Sequence, residues 1–147
     1  MAIKRSKRMA VVLTLAERAE DQAAQRLQEA RQQQQLEQGK LQELRDYFQD
    51  YADQIDQQRQ GLTAQTIMTY RHFLQQLEQS VSVQQTRVKQ GEQLNERLLV
   101  EWQQLYHRRR SIAELIQRLQ VSENAALEKQ LQKEIDELTT LSRHRNS

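Results

Sequence analysis

The chain has 147 residues, of which 37% are hydrophobic and 5% aromatic, and its 22 Lys and Arg against 20 Asp and Glu leave a formal charge of +2. That length is one domain's worth, yet so little apolar material excludes a thick globular core. Interleaved charges of nearly balanced sign mark a solvated helix surface and argue against an extended nucleic-acid footprint, and the absence of cysteine excludes a disulfide framework or a thiolate site.

The chain opens on "MAIKRSKRMAVVLTLAER". Its apolar segment is broken by Thr14 and stops at Glu17 and Arg18, so no signal peptide is expected. Nothing along the chain approaches the roughly twenty apolar residues of a membrane span, and a cysteine-free sequence suits a reducing cytoplasm. Proline is absent, glycine occurs three times, and Gln, Glu, Leu, Arg and Ala dominate, which is the vocabulary of long helices. The 28 glutamines are scattered among periodic leucines and charges, apart from the short run Gln32 to Gln35. A disordered polar tail is therefore the weaker reading.

Steps of three and four from Leu13 meet Leu13, Ala16, Glu20, Ala23, Leu27, Ala30, Gln34, Glu37, Leu41, Leu44, Phe48, Tyr51, Ile55, Gln58 and Leu62, and eleven of these fifteen slots are apolar. This is an unslipped heptad seam. A break follows in "QRQGLTAQT", where Gly61 can adopt the left-handed, helix-ending conformation and Thr63 can cap a second helix. From Ile67 the same steps meet Ile67, Tyr70, Leu74, Leu77, Val81, Gln84, Val88, Gly91, Asn95, Leu98, Trp102, Leu105, Arg109, Ile112, Ile116 and Leu119, with twelve of sixteen apolar. The pattern predicts one all-α domain, a long two-helix antiparallel coiled coil with helices over about 9–60 and 66–141, a turn over about 61–65 and flexible ends.

Folded so that seam partners have numbers summing to about 125, the hairpin sets Ile55 by Tyr70, Tyr51 by Leu74, Leu44 by Val81 and small Ala23 by large Trp102, as a packed seam requires. Gln34, Glu37, Gln84, Gly91 and Asn95 interrupt the apolar layers, predicting either a soft waist or a register-fixing device. Past Met9 by Ile116 the first helix runs out. Leu119, Leu127, Leu131, Ile135, Leu138 and Leu141 then continue an amphipathic stripe on an overhanging C-terminal helix, which must fray or find another protein. At about 1.5 Å per residue the second helix reaches on the order of 100 Å.

His72, His107 and His144 are too dispersed for a metal site, and there is neither a phosphate-binding glycine loop nor a serine in a nucleophile context. Carboxylates abound, but two packed helices offer no cleft in which to desolvate a pair. No enzyme activity and no cofactor are expected. Two basic clusters, "KRSKR" at Lys4 to Arg8 and "HRRRS" at His107 to Ser111, are expected to lie side by side on this register and to face an anionic partner. Phe48, Tyr51 and Tyr70 fall on the seam near the turn. Tyr47 and Phe73 flank it, so part of their ring surface is expected to face a protein partner.

Several stretches carry a resemblance: "KRMAVVLTLAERAEDQAAQRL", "KLQELRDYFQDY", "MTYRHFLQQLEQSV", "VEWQQLYHRR" and "LQKEIDEL". Together they resemble the FliJ family of bacterial flagellar type III export proteins over nearly the whole chain. The most specific parts are the pattern of Leu44, Tyr47 and Tyr51 with that of Tyr70, Phe73 and Leu77. What the resemblance implies is an antiparallel two-helix coiled coil similar to the central stalk subunit of rotary ATPases. Family members insert the end carrying both termini into the hexameric export ATPase, promote its assembly and activity, contact the export-gate membrane protein and exchange with export chaperones.

Carried over by residue, the resemblance makes Leu44, Tyr47, Tyr51, Phe73 and Leu77 the expected export-gate contacts, while Lys40, Ser80 and Gln84 depart from the family's best-known pattern beside them. The expected ATPase-ring contacts are Lys4, Arg5, Lys7, Arg8, Arg108, Arg109 and Arg110 with Leu127, Leu131 and Leu138 of the overhang. The chain is expected to be monomeric alone, to bind no nucleic acid, to insert into no membrane and to reside in the cytoplasm, peripheral at the inner membrane through the export apparatus. The alternative from the residues themselves is a cytosolic coiled-coil scaffold that dimerises or binds partner helices, with a nucleic-acid binder ranked last.

Overall fold

The computed structural model of the chain describes residues 3–58 and 61–146. Arg59 and Gln60, at the expected end of the first helix, lie outside the described residues, as do Met1, Ala2 and Ser147. The fold is all-α: α1 spans Arg5–Gln57, α2 spans Ala64–Arg145, and the two pack against each other as a hairpin. Both helices begin a few residues before the heptad pattern becomes regular, because Ala, Lys, Arg and Gln propagate a helix without needing a buried face.

The seam falls where the heptads place it. Every slot from Leu13 to Ile55, and every slot from Ile67 to Leu119, is buried or half-buried, whereas Gln58 is exposed. The chain divides into two compact units, Ala23–Trp102 and the pair Met1–Gln22 with Gln103–Ser147.

In the unit Ala23–Trp102 the cross-helix partners Tyr51 and Phe73, Gln34 and Val88, and Arg26 and Glu101 all have numbers summing to within a few of the expected 125. Ala23 is 1% exposed, as a slot opposite a large Trp102 demands. Its polar layers are bonded across the seam. Gln34 Nε2 donates to the Val88 carbonyl at 2.9 Å, and Gln84 Nε2 donates to the Glu37 carbonyl at 2.9 Å and to the Glu37 carboxylate. Gln34 Oε1 and Asn95 Oδ1 are buried without a hydrogen-bond partner among the described residues. Gly91 belongs to the same arrangement, since a Cβ there would stand 1.8 Å from Gln34 Oε1.

The turn closes differently from the expectation. Among the described residues no glycine has a positive φ, so Gly61 does not supply a left-handed stop. Instead Gln58 N bonds to the Gln54 carbonyl at 3.1 Å and Gly61 N to the Gln58 carbonyl at 3.2 Å. A tightened i to i+3 turn satisfies an end carbonyl without needing φ > 0. Thr63 does cap α2: its Oγ1 accepts from Thr66 N at 3.2 Å and lies 2.8 Å from Thr66 Oγ1, while its carbonyl accepts from Ile67 N at 3.0 Å.

In the other unit, Ala16 and Ile116 are buried. Toward the N-terminus α2 meets α1 through Glu123, whose carboxylate accepts from Ser6 N at 3.1 Å and Ser6 Oγ at 2.6 Å. Ser6 N belongs to the first turn of α1, where N–H groups have no partner within their own helix, so Glu123 caps α1 from across the seam. From Asn124 to Asn146 every residue is exposed. That stretch is the overhang.

Candidate functional site

Tyr51 occupies a seam slot, and three rings converge on it. Its centroid lies 4.7 Å from that of Phe73, 5.6 Å from Tyr70 in an edge-on arrangement and 6.4 Å from Tyr47. Tyr47 also meets Phe73 edge-on at 6.3 Å. Such offset and edge contacts add to the area they bury. Burial pushes the Tyr51 phenol above its ordinary pKa, with Tyr70 and Tyr47 adding to the shift, so it stays a neutral hydrogen-bonding group.

The five residues expected at the export gate are therefore not equivalent. Tyr47 is 52% exposed, Leu44, Tyr51 and Phe73 are half-buried, and Leu77 is 8% exposed within the seam. On this face Tyr47 is the most exposed ring, Phe73 and Tyr51 are half-buried, and Leu77 packs within the seam. Lys40 and Ser80 are exposed beside them. Gln84, at 4% exposed, is turned across the seam to Glu37 and offers a partner nothing.

In the unit that carries both termini, Lys4, Arg5, Lys7 and Arg8 are all exposed. Arg108 and Arg110 are exposed too, Arg110 pairing with Glu114 at 3.3 Å. Arg109 is committed inward. Its Nε lies 2.6 Å from Glu20 Oε2, its Nη2 3.4 Å from Oε1, and its guanidinium 5.2 Å over the Tyr106 ring. The hydrogen bonds it donates to the Glu20 carboxylate raise the Arg109 pKa further above its ordinary value, so this residue is a permanent seam cation.

The two basic clusters are not side by side. Ser6 bonds to Glu123 and Arg109 to Glu20, which separates their levels along α1 by fourteen residues, or on the order of 20 Å at the helical rise. A pairing sum near 125 sets Lys4 to Arg8 against residues about 117 to 121, about two turns or more past Arg108 to Arg110. Leu127, Leu131 and Leu138 are exposed on the overhang, together with Ile135 and Leu141.

Sequence reasoning missed the cross-helix polar pairs, Ser6 with Glu123, Glu20 with Arg109 and Arg26 with Glu101. The middle one was readable. Glu20 and Arg109 are opposite charges in seam slots at matching levels, and a charge in such a slot calls for a partner.

Among the described residues no cluster of His, Cys, Asp or Glu gathers as a metal site would require, and no helix is long and apolar enough to cross a membrane. A family model described as flagellar FliJ protein matches residues 5–147. The chain belongs to the FliJ family. No curated protein and no solved structure matches it. FliJ membership carries a flagellar, export-related role in a family of non-catalytic components.

Proposed function

We propose that this FliJ-family chain is a non-enzymatic stalk of the flagellar type III protein export ATPase. The unit carrying both termini engages the hexameric ATPase ring through Lys4, Arg5, Lys7, Arg8, Arg108 and Arg110 and through Leu127, Leu131 and Leu138, with Arg109 holding the seam behind them. The aromatic face around Tyr47 engages the export-gate membrane protein, and export chaperones exchange on the same molecule at the cytoplasmic face of the inner membrane.

The observation that carries this reading is the overhang. From Asn124 to Arg145 a helix with a leucine stripe stands with every residue exposed, and an isolated amphipathic helix of that length is marginal in water unless its stripe is covered. A ring that encloses the helix covers it. Contact alone does not change turnover, so the ring's assembled or competent state must bind the stalk more tightly than its alternatives do.

The test is ATP turnover by the hexameric export ATPase with and without the chain, beside a variant lacking the residues after Gln120. Stimulation that the truncation reduces supports the stalk. Absence of both binding and stimulation would remove it in favour of the scaffold reading, which the same exposed stripe favours and in which the chain dimerises or binds partner helices.

A further inference from the structure

The first turns of α1 carry a second surface, on the side turned away from α2. Each helical residue advances by about 100°, so Ser6, Met9, Leu13, Ala16 and Glu20 share the face toward α2, and all are buried or half-buried. Lys7, Val11, Thr14 and Arg18 fall on the opposite face, with Arg8 and Leu15 at one edge and Lys4 just ahead of them, and all of these are exposed. Val11 is 64% and Leu15 59% exposed, although both are aliphatic, and Ile3 at 65% precedes them.

Single exposed apolar side chains need no explanation. Here two lie one turn apart among cations, and Lys4, Lys7, Arg8 and Arg18 enter no salt bridge among the described residues. Of the nearby acids, Glu20 is held by Arg109, Glu114 by Arg110 and Glu123 by Ser6, while Glu17 and Asp21 stand exposed beside Arg18. Across residues 3–20 and 107–123 basic side chains outnumber acidic ones by nine to four. The unpaired charge on this face is therefore positive.

We propose that this outward face of α1 docks on an anionic phospholipid surface, with the helix lying along the headgroups. Lys4, Lys7, Arg8 and Arg18 meet lipid phosphates, while Val11 and Leu15 enter the boundary with the acyl chains. An acidic protein would satisfy the cations but would need a matching apolar pocket between them. A lipid interface accepts both kinds of group at once without shape complementarity. Two aliphatic side chains are a small anchor, so binding is reversible and depends on both the charge and the apolar contact. The proposal goes beyond the stalk reading and stands without it, but the two share Lys4, Lys7 and Arg8, so lipid and ring compete for the chain.

The experiment is sedimentation of the full-length chain with phosphatidylcholine vesicles, with and without phosphatidylglycerol, at low and at high salt. Binding should require phosphatidylglycerol and weaken with salt. Arg18→Ala should lower it about fivefold, the factor expected for one cation near such a surface. Val11→Asp with Leu15→Asp should lower it by about tenfold or more, with helicity by circular dichroism unchanged because both side chains are exposed. Excess export ATPase should strip the chain from the vesicles. Failure to sediment with anionic vesicles at low salt overturns the proposal. So does binding indifferent to the Val11 and Leu15 substitutions and matched by polyglutamate, which would make the face an electrostatic contact for an acidic protein.

Discussion

At Gly91 two effects of similar size oppose each other. Alanine gains roughly 1 kcal/mol of helix propensity over glycine, but its Cβ would stand 1.8 Å from Gln34 Oε1 and 2.9 Å from its Cδ. Gln34 must then move, and it loses the bond to the Val88 carbonyl, worth about 1 kcal/mol, while its amide stays buried. Gly91→Ala alone should therefore be neutral or destabilising. In a Gln34→Ala background the same change should stabilise by about 1 kcal/mol. A double-mutant cycle by urea unfolding reads the reversal of sign, and equal effects in both backgrounds would show that Gly91 is not shaped by Gln34. The aromatic residues divide by the same reasoning. Tyr51, touching three rings, should cost on the order of 2 kcal/mol when replaced by alanine. Tyr47→Ala with Phe73→Ala should weaken gate binding while helicity stays nearly intact, and a large fall in helicity would return both rings to the core.

At the scale of the helices, the start of α1 depends on a carboxylate of α2. Hydrogen bonds from the Ser6 hydroxyl and amide hold the Glu123 carboxyl below its ordinary pKa, with Lys4 contributing. A depressed carboxylate contributes stability that is fully present above its unfolded pKa of about 4.3 and is lost as pH falls through the lower folded value. Glu37 behaves likewise through Gln84. Hydrogen-exchange protection at Ser6 N–H, corrected for intrinsic rates, should thus fall on acidification below that range. Glu123→Gln should flatten this dependence at Ser6, while leaving the acid response in the layers around Glu37. Protection at Ser6 that ignores pH in the parent chain would mean that the cap is not formed in solution. Most of this architecture was legible, because a heptad with eleven of fifteen apolar slots and another with twelve of sixteen fix which faces meet. The Gly61 stop was not, since a tightened turn ends a helix without positive φ and glycine in sequence does not say which is used. The spread of exposure among Leu44, Tyr47, Tyr51, Phe73 and Leu77 was only half legible. Seam arithmetic separates Tyr47 from Tyr51, but the depth of a flanking ring depends on how neighbouring rings pack.

For the molecule as a whole, the decisive quantity is whether the hairpin needs a second copy. Its seam is closed by its own two helices from Leu13 to Ile55 and from Ile67 to Leu119, so pairing two chains there would gain nothing that each does not already have. The overhang is open along its length, with Leu127, Leu131, Ile135, Leu138 and Leu141 exposed. An antiparallel pair of such segments has only about four turns of apolar contact each to set against the entropy of association. The chain should therefore scatter light as a monomer of 17.5 kDa at micromolar concentration. Truncation after Glu123, which keeps the cap on Ser6, should leave the thermal midpoint within a few degrees, because the residues beyond it bury nothing, while stimulation of the export ATPase falls. A stable dimer that the same truncation turns into a monomer would show instead that the stripe is covered by its own kind. The scaffold reading would then displace the stalk, since one copy per ring is what a central stalk requires.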